Sequence, residues 1–245
     1  MKKFGLIGYP LSHSFSQKYF TEKFRKENIH DCVYENFSLP DIEQISSILI
    51  SEPQLQGLNV TIPYKEKIIP FLHFKNDVVE KTGACNCIKI KNGKLYGYNT
   101  DVIGFEISLK KKLKDYHKHA LILGTGGAAK AVEYVMKKSG IDYKFVSRKV
   151  SSDNTINYGD LDESIIQSNT LIINTAPIGM YPNVDAYPNI PYHALTAKHY
   201  LFDLIYNPEK TMFLQKGEEH GAAIQNGHEM LIIQAEESWR IWNEG

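Results

Sequence analysis

The apolar run Ala120-Leu121-Ile122-Leu123 passes straight into Gly124-Thr125-Gly126-Gly127-Ala128-Ala129, and no other stretch constrains the fold as tightly. A short apolar run bounded by a turn reads as a buried strand, and the residues after the turn, to about Ser139, read as a helix. The turn fits the pattern G-x-G-x-x-A. Its first glycine permits a sharp bend, its second lets a pyrophosphate approach the backbone, and its small third position lets helix and strand pack closely. The helix that follows aims free N–H groups and a partial positive charge at that point, which suits phosphate. The alternative is a tight strand–helix turn that binds nothing. The dinucleotide reading makes Gly124, Thr125, Gly126, Gly127 and Ala128 candidate cofactor-binding residues.

Strand followed by helix recurs along the chain, which predicts an α/β fold with mainly parallel sheets. Strands are expected at 3–8, 32–39, 57–62, 120–123, 144–146, 170–174 and 200–205. Asn92-Gly93 marks a hairpin between 88–91 and 94–98. Helices are expected at about 16–27, with Ser16 as N-cap, and at 41–50, 102–113 and 228–242. The organisation expected is a first α/β domain over 1–101, a dinucleotide-binding domain over 102–226, and a last segment, 227–245, returning to the first domain.

Lys plus Arg number 28 and Asp plus Glu number 28, so the formal net charge is zero. A balanced chain gives no electrostatic reason to expect nucleic acid or a membrane surface as partner, and a small molecule is expected instead. The three cysteines, Cys32, Cys85 and Cys87, form an odd, low count that suits a reducing compartment. Cys85-Asn86-Cys87 has no second ligand pair at metal-site spacing, so no metal is expected. The N-terminal apolar stretch is too short for a signal peptide and meets Pro10, and no run reaches membrane-spanning length. The expected location is the cytoplasm.

One strand beyond the glycine turn, where an NAD site carries a carboxylate for the ribose hydroxyls, the chain has Ser147-Arg148-Lys149. Two cations and no carboxylate favour the extra 2′-phosphate of NADP, with Arg148 to stack on or clamp it. A solvated basic loop is the alternative.

Three segments place polar groups at strand ends or loops, where α/β proteins bind ligands. In His13-Ser14-Phe15-Ser16, two hydroxyls two residues apart can bond one carboxylate, or Ser16 merely caps its helix. In Asn59-Val60-Thr61-Ile62-Pro63-Tyr64-Lys65, Asn59 and Thr61 share a strand face and Lys65 follows the break at Pro63, as a solvated strand-end residue or a catalytic one. Asn99-Thr100-Asp101 offers Asp101 as a helix N-cap or as a partner for Lys65, and Asn86 is a further polar candidate. A Lys and Asp pair suits carbonyl reduction: hydride addition makes an alkoxide, an ammonium supplies its proton, and a carboxylate holds the ammonium in place.

Eight motifs in order resemble the shikimate dehydrogenase family across nearly the whole chain. They are Gly8-x-Pro10 with His13-Ser14-x-Ser16; Asn59-Val60-Thr61-x-Pro63-x-Lys65; Gly83-Ala84-x-Asn86; Asn99-Thr100-Asp101-x-x-Gly104; the Gly124 turn; Asn174-Thr175-x-Pro177-x-Gly179-Met180; Asp203-x-x-Tyr206-x-Pro208-x-x-Thr211; and Gly227-x-x-Met230-Leu231-x-x-Gln234. The resemblance implies an N-terminal α/β substrate domain, a Rossmann-type NADP domain and a C-terminal helix that returns to the substrate domain. It implies reversible NADP-linked reduction of 3-dehydroshikimate to shikimate, on the route to chorismate and aromatic amino acids. A monomer or homodimer is expected.

By that likeness Lys65 is the acid/base, paired with Asp101. Ser14 and Ser16 hold the substrate carboxylate, while Thr61, Asn86 and Gln234 bind ring hydroxyls. Tyr206 lies at the substrate end, and Leu204, Gly227 and Met230 lie near the nicotinamide. Gln234 and Met230, four apart, share a helix face. Gln17, Cys87, Ala176 and Ser147 depart from the family pattern, and only Ser147 touches the expected cofactor pocket. The rivals are a broader quinate/shikimate dehydrogenase, a folate-linked dehydrogenase, and a dinucleotide sensor without catalysis, which has no use for both Lys65 and Asp101.

Overall fold

A computed structural model of the chain describes residues 1–11, 15–150 and 152–244. In chain order the elements are β1 (Lys2–Gly8), α1 (Phe15–Lys26), β2 (Cys32–Ser38), α2 (Ile45–Ser51), β3 (Leu55–Val60), β4 (Phe74–Lys75), α3 (Asp77–Thr82), β5 (Cys87–Lys91) and β6 (Lys94–Tyr98). There follow α4 (Asp101–Lys110), β7 (His119–Leu123), α5 (Gly127–Lys138), β8 (Asp142–Ser147), β9 (Thr155–Asn157), α6 (Glu163–Ser168), β10 (Leu171–Asn174), β11 (Tyr200–Asp203), α7 (Met212–Glu219), β12 (Ala223–Gln225) and α8 (His228–Asn243). The chain divides into two compact units, Met1–Thr100 with Gln234–Gly245, and Asp101–Ile233. Among the described residues no helix is long and apolar enough to cross a membrane.

The first unit is built on a six-stranded sheet in the order β2-β1-β3-β5-β6-β4. β1 is paired in parallel with β2 and β3, while β5 and β6 form an antiparallel hairpin on that frame. Asn92 and Gly93 both take positive φ, 52° and 70°, which gives the two-residue hairpin turn its right-handed twist. Alternation along β1 sends Phe4 and Leu6 into one apolar cluster and Ile7 into another. The first of these clusters contains Phe20 and Phe24 of α1 and Trp242 of α8. Phe4 stacks on Trp242 with ring centroids 4.9 Å apart, and the indole N–H donates to the Ile88 carbonyl (2.9 Å). The end of α8 is thus a structural part of the first unit.

The second unit has an all-parallel sheet in the order β12-β11-β10-β7-β8-β9. Numbered within the unit and read from its β9 edge, the order is 3-2-1-4-5-6, that of the dinucleotide-binding doubly wound sheet. β7 and β10 are the neighbours at which the strand order reverses, and ligands of such sheets bind beyond the carboxyl ends of the strands there. The glycine turn leaves β7 at that point. Leu121, Leu123, Val146, Ile172, Leu201 and Phe213 fill the core beneath it.

Several short elements escape the sequence expectation: α3, α6, α7, β4, β9 and β12. The three helices have six to eight residues and the three strands two or three, too few for a periodic apolar stripe to emerge. Their caps are nonetheless written in the chain, because Asn76, Asp162 and Thr211 each accept a backbone N–H at a helix start.

Candidate active site

In the first unit, the turn after β3 carries Thr61 and Lys65. Thr61 N–H donates to Ile7 (2.9 Å) and Tyr64 N–H closes the turn on Thr61 (2.9 Å). Tyr64 is buried and its hydroxyl donates to the Leu39 carbonyl, which pins the turn from beneath. Lys65 sits at the exit, half-buried, and its carbonyl accepts from Cys85 N–H (2.8 Å). Val60 N–H donates to the Asn86 carbonyl (2.9 Å). Thr61, Lys65 and Asn86 therefore come from two segments bonded directly to each other.

Asn86 is itself the centre of a polar cluster. Its side-chain oxygen accepts from Thr100 N–H (2.6 Å), and its amide group donates to Thr100 Oγ1 (3.0 Å) and to Gln234 Oε1 (2.8 Å). Asn59 adds a second layer: it accepts from the Tyr34 hydroxyl (2.8 Å) and donates to Ser238 Oγ (2.9 Å). Tyr34 is bonded in turn to the Ser16 hydroxyl, and burial holds its own pKa well above the ordinary phenol value. Ser16, Asn86 and Gln234, far apart in sequence, are thus joined by one hydrogen-bonded cluster.

Ser16 is not the N-cap of α1. The helix already includes Phe15, so Ser16 lies in its first turn, and its hydroxyl engages Tyr34 instead. Ser14 lies outside the described residues. Tyr34, Asn59, Thr100 and Ser238 were assigned no role from sequence. A signal existed for two of them: Asn59 alternates with Thr61 on one strand, and Ser238 lies four residues after Gln234 on α8.

The second unit carries the candidate cofactor residues. Gly124 follows β7 with φ of 110°, and a Cβ there would lie 2.8 Å from Thr175 Oγ1. Thr175 itself donates to the Leu123 carbonyl (2.8 Å), so the turn packs against the end of β10. Gly126 precedes α5, caps it with no side chain, and has nothing within 4 Å of the position a Cβ would take. An uncapped helix start beside open space fits a pyrophosphate. Gly127 and Ala128 open the helix, and Thr125 is exposed at the turn. Ser147 ends β8, the neighbour of β7, and its hydroxyl accepts from Lys149 N–H (3.3 Å). Arg148 and Lys149 are exposed just beyond it.

The last residue of β11 is a buried carboxylate. Asp203 accepts from Asn174 Nδ2 (3.0 Å), Ile205 N–H (3.0 Å) and Thr211 Oγ1 (2.6 Å). Burial pushes its pKa up to about 7, against the pull of these three donors. Asn174 passes the constraint on by accepting from Ala176 N–H (3.1 Å), and Gly227 N–H donates to Ile205 (3.0 Å). Asp203 thereby ties together the segments that carry Leu204, Tyr206 and Gly227. Leu204 and Tyr206 are half-buried there, and Met230 is buried in the first turn of α8. Asp101 is buried as the first residue of α4. No group of three or more metal-ligating side chains occurs among the described residues.

Known proteins resemble this arrangement over nearly its full length. The family model of the shikimate dehydrogenase substrate binding domain matches residues 6–88. The NADP(+) shikimate dehydrogenase of Methanococcus maripaludis is 36% identical, over 98% of this chain and 91% of its own. The crystal structure of shikimate dehydrogenase 1 from Peptoclostridium difficile is 38% identical with a TM-score of 0.84, covering 99% of this chain and 91% of that one. A Thermus thermophilus shikimate 5-dehydrogenase, solved with NADP(H) and shikimate, is 25% identical with a TM-score of 0.87, covering 99% and 94%.

Proposed function

The chain belongs to the shikimate dehydrogenase family, and from that premise we propose that it catalyses the reversible NADP-linked reduction of 3-dehydroshikimate to shikimate, a step toward chorismate and the aromatic amino acids. One observation carries the reading: the kinship spans 98% of the chain, so it includes both the substrate-type unit and the dinucleotide-type unit.

NADPH, when bound, supplies the hydride. Lys65 gives a proton to the substrate oxygen as it becomes an alkoxide and takes it back in the reverse direction. Asp101 complements the lysine charge and, with Thr61, Asn86 and Gln234, binds the ring hydroxyls. Ser14 and Ser16 hold the substrate carboxylate, and Tyr206 contacts the substrate end. The turn from Gly124 to Ala128 takes the pyrophosphate through the N–H groups of residues 125–128, with the Gly124 N–H tied to Val146 (2.9 Å) and Thr125 beside the phosphates. Ser147, Arg148 and Lys149 take the 2′-phosphate, which selects NADP over NAD. Leu204, Gly227 and Met230 shape the nicotinamide pocket. Free thiols at Cys32, Cys85 and Cys87 fit a reducing compartment, and we assign the enzyme to the cytoplasm, as a monomer or homodimer.

The test is nicotinamide absorbance with shikimate or quinate, each with NADP and with NAD. Turnover is expected with shikimate and NADP above every other pair. Turnover with no pair would sink the enzymatic reading, and faster turnover with quinate would reassign the substrate.

A further inference from the structure

The cluster around Asn86 fixes which end of each amide faces which partner. A backbone N–H can only donate, so the Asn86 atom 2.6 Å from Thr100 N is the oxygen. The other end of Asn86 is then its amide nitrogen. Its two hydrogens go to Thr100 Oγ1 (3.0 Å) and Gln234 (2.8 Å). The Gln234 atom facing Asn86 must accept, and is therefore Oε1. Gln234 is left to offer Nε2, a donor, to anything that binds beside it. The same logic orients the second layer. Asn59 Nδ2 faces the Asn86 carbonyl (3.3 Å), which only accepts, so its oxygen receives the Tyr34 proton.

Ser238 and Thr100 close the cluster. The Ser238 hydroxyl donates to the Gln234 carbonyl (2.9 Å), so toward Asn59 Nδ2 (2.9 Å) and Thr100 Oγ1 (3.3 Å) it is the acceptor. Thr100 Oγ1 accepts from Asn86 Nδ2 (3.0 Å), and its own proton is shared between Ser238 Oγ and Asn86 Oδ1, both 3.3 Å away. Both residues are fully buried. A reversal anywhere along this chain would set donor against donor at buried positions.

We propose that Thr100 and Ser238 are positioning residues that lock Gln234 as a hydrogen-bond donor toward the substrate, so that the substrate group it meets must present an oxygen lone pair. This rests on the reading of Gln234 as a substrate-binding residue. Asn86, with both amide hydrogens committed inside the cluster and Oδ1 already accepting from Thr100 N–H (2.6 Å), has one lone pair of Oδ1 to offer, where a substrate hydroxyl replaces the long Thr100 Oγ1 contact (3.3 Å) and donates its proton. A ring bearing a hydroxyl at that edge satisfies both residues, accepting from Gln234 and donating to Asn86. A ring bearing an ammonium there has no lone pair for Gln234.

Two measurements on the full-length protein test this. In the ¹⁵N-labelled protein, the side-chain amide protons of Gln234 are identified by their loss in Gln234→Met. Adding shikimate with NADP is expected to shift those of Gln234 and to leave those of Asn86 nearly unmoved; the opposite pattern overturns the polarity. In steady-state kinetics, Thr100→Val removes the hydroxyl at nearly constant volume and is expected to raise KM for shikimate about tenfold, with KM for NADP unchanged. Thr100→Ser, which keeps the hydroxyl, is expected to restore wild-type KM, and Ser238→Ala to behave like Thr100→Val. Equal KM in Thr100→Val and Thr100→Ser overturns the positioning role. Failure of the functional reading is separate: the unaltered protein would then not turn over shikimate at all.

Discussion

The two units each bury a polar network beside their candidate ligand residues, and the networks are built differently. In the first unit, Tyr34, Asn59, Asn86, Thr100, Gln234 and Ser238 are all neutral, and their order comes from matching donors to acceptors. In the second, one carboxylate, Asp203, gathers Asn174, Ile205 and Thr211 around a single charge. A neutral network fixes polarity and is indifferent to pH. A network organised by a buried carboxylate is stronger per bond, but its strength depends on a proton. The substrate side is thereby built for selectivity, and the cofactor side for a firm loop whose stability titrates.

The comparison breaks most severely if chemistry and cofactor binding are not separable between the units. Lys65→Ala is expected to lower kcat by about 10³-fold, within the range for loss of a general acid, while the dissociation constant of NADP stays within about twofold. Stopped-flow turnover and fluorescence titration of the cofactor check both halves. Near-normal turnover would remove Lys65 from its assigned role.

Next in size is the difference between the two hubs. Asp203→Ala leaves three buried donors without an acceptor and is expected to cost about 3 kcal/mol or more in denaturant unfolding, with weakened NADP binding. Ser238→Ala removes one neutral hydroxyl and is expected to cost about 1 kcal/mol, with NADP binding intact. Equal losses from the two would show that charge does not distinguish the networks.

The dependence on protons sharpens the contrast further. The Asp203 carboxyl rises from an ordinary 3.8 to about 7 because burial disfavours its charged form. The folded chain therefore holds this proton more tightly than the unfolded one. Its contribution is fully present below about pH 4 and is lost as pH rises to about 7. Tyr192 also faces this charge, and both burial and Asp203 keep its phenol protonated throughout that window. Urea unfolding at pH 4 and pH 7.5 is expected to show a component of a few kcal/mol in the unaltered protein that Asp203→Asn lacks. Asn fits the same space, so the difference between the two proteins isolates the titration from every other carboxylate. A difference that grows with pH in the opposite sense would place the Asp203 pKa below its ordinary value.

The contrast also explains what could be read before the fold was known. The β7–turn–α5 unit was legible because each of its parts is local: four apolar residues, a glycine pattern and a helix within some twenty positions. Asp203 and Thr211 stood in one short motif, but nothing local said that the carboxylate was buried or that Asn174 would meet it. The neutral network was less legible still. Asn59 and Ser238 are 179 residues apart and Asn86 and Gln234 are 148 apart, so the pairing exists only once α8 has packed on the first unit. Ser16 shows how a local signal misleads. A serine before a helical run is a good cap by propensity, but Phe15 joined the helix and the hydroxyl found a tertiary partner in Tyr34.

The smallest expected effect separates two glycines of one turn. Gly124 has positive φ and lies against Thr175, so Gly124→Ala strains the backbone and drives a methyl into a fixed hydroxyl. It is expected to lower both stability and NADP affinity. Gly126 is extended, with φ of −78° and ψ of −175°, and a methyl there meets nothing of the protein. Gly126→Ala should therefore cost only about 0.5 kcal/mol of stability, the ordinary difference between glycine and alanine at a helix cap. If the open space beside Gly126 is where the pyrophosphate approaches, the same methyl weakens NADP about tenfold, or about 1.4 kcal/mol. Thermal unfolding with and without NADP reads both quantities in one experiment. A Gly126→Ala protein that keeps full affinity would mean the phosphates lie elsewhere along the turn, whereas a large loss of stability without ligand would mean the space is not open.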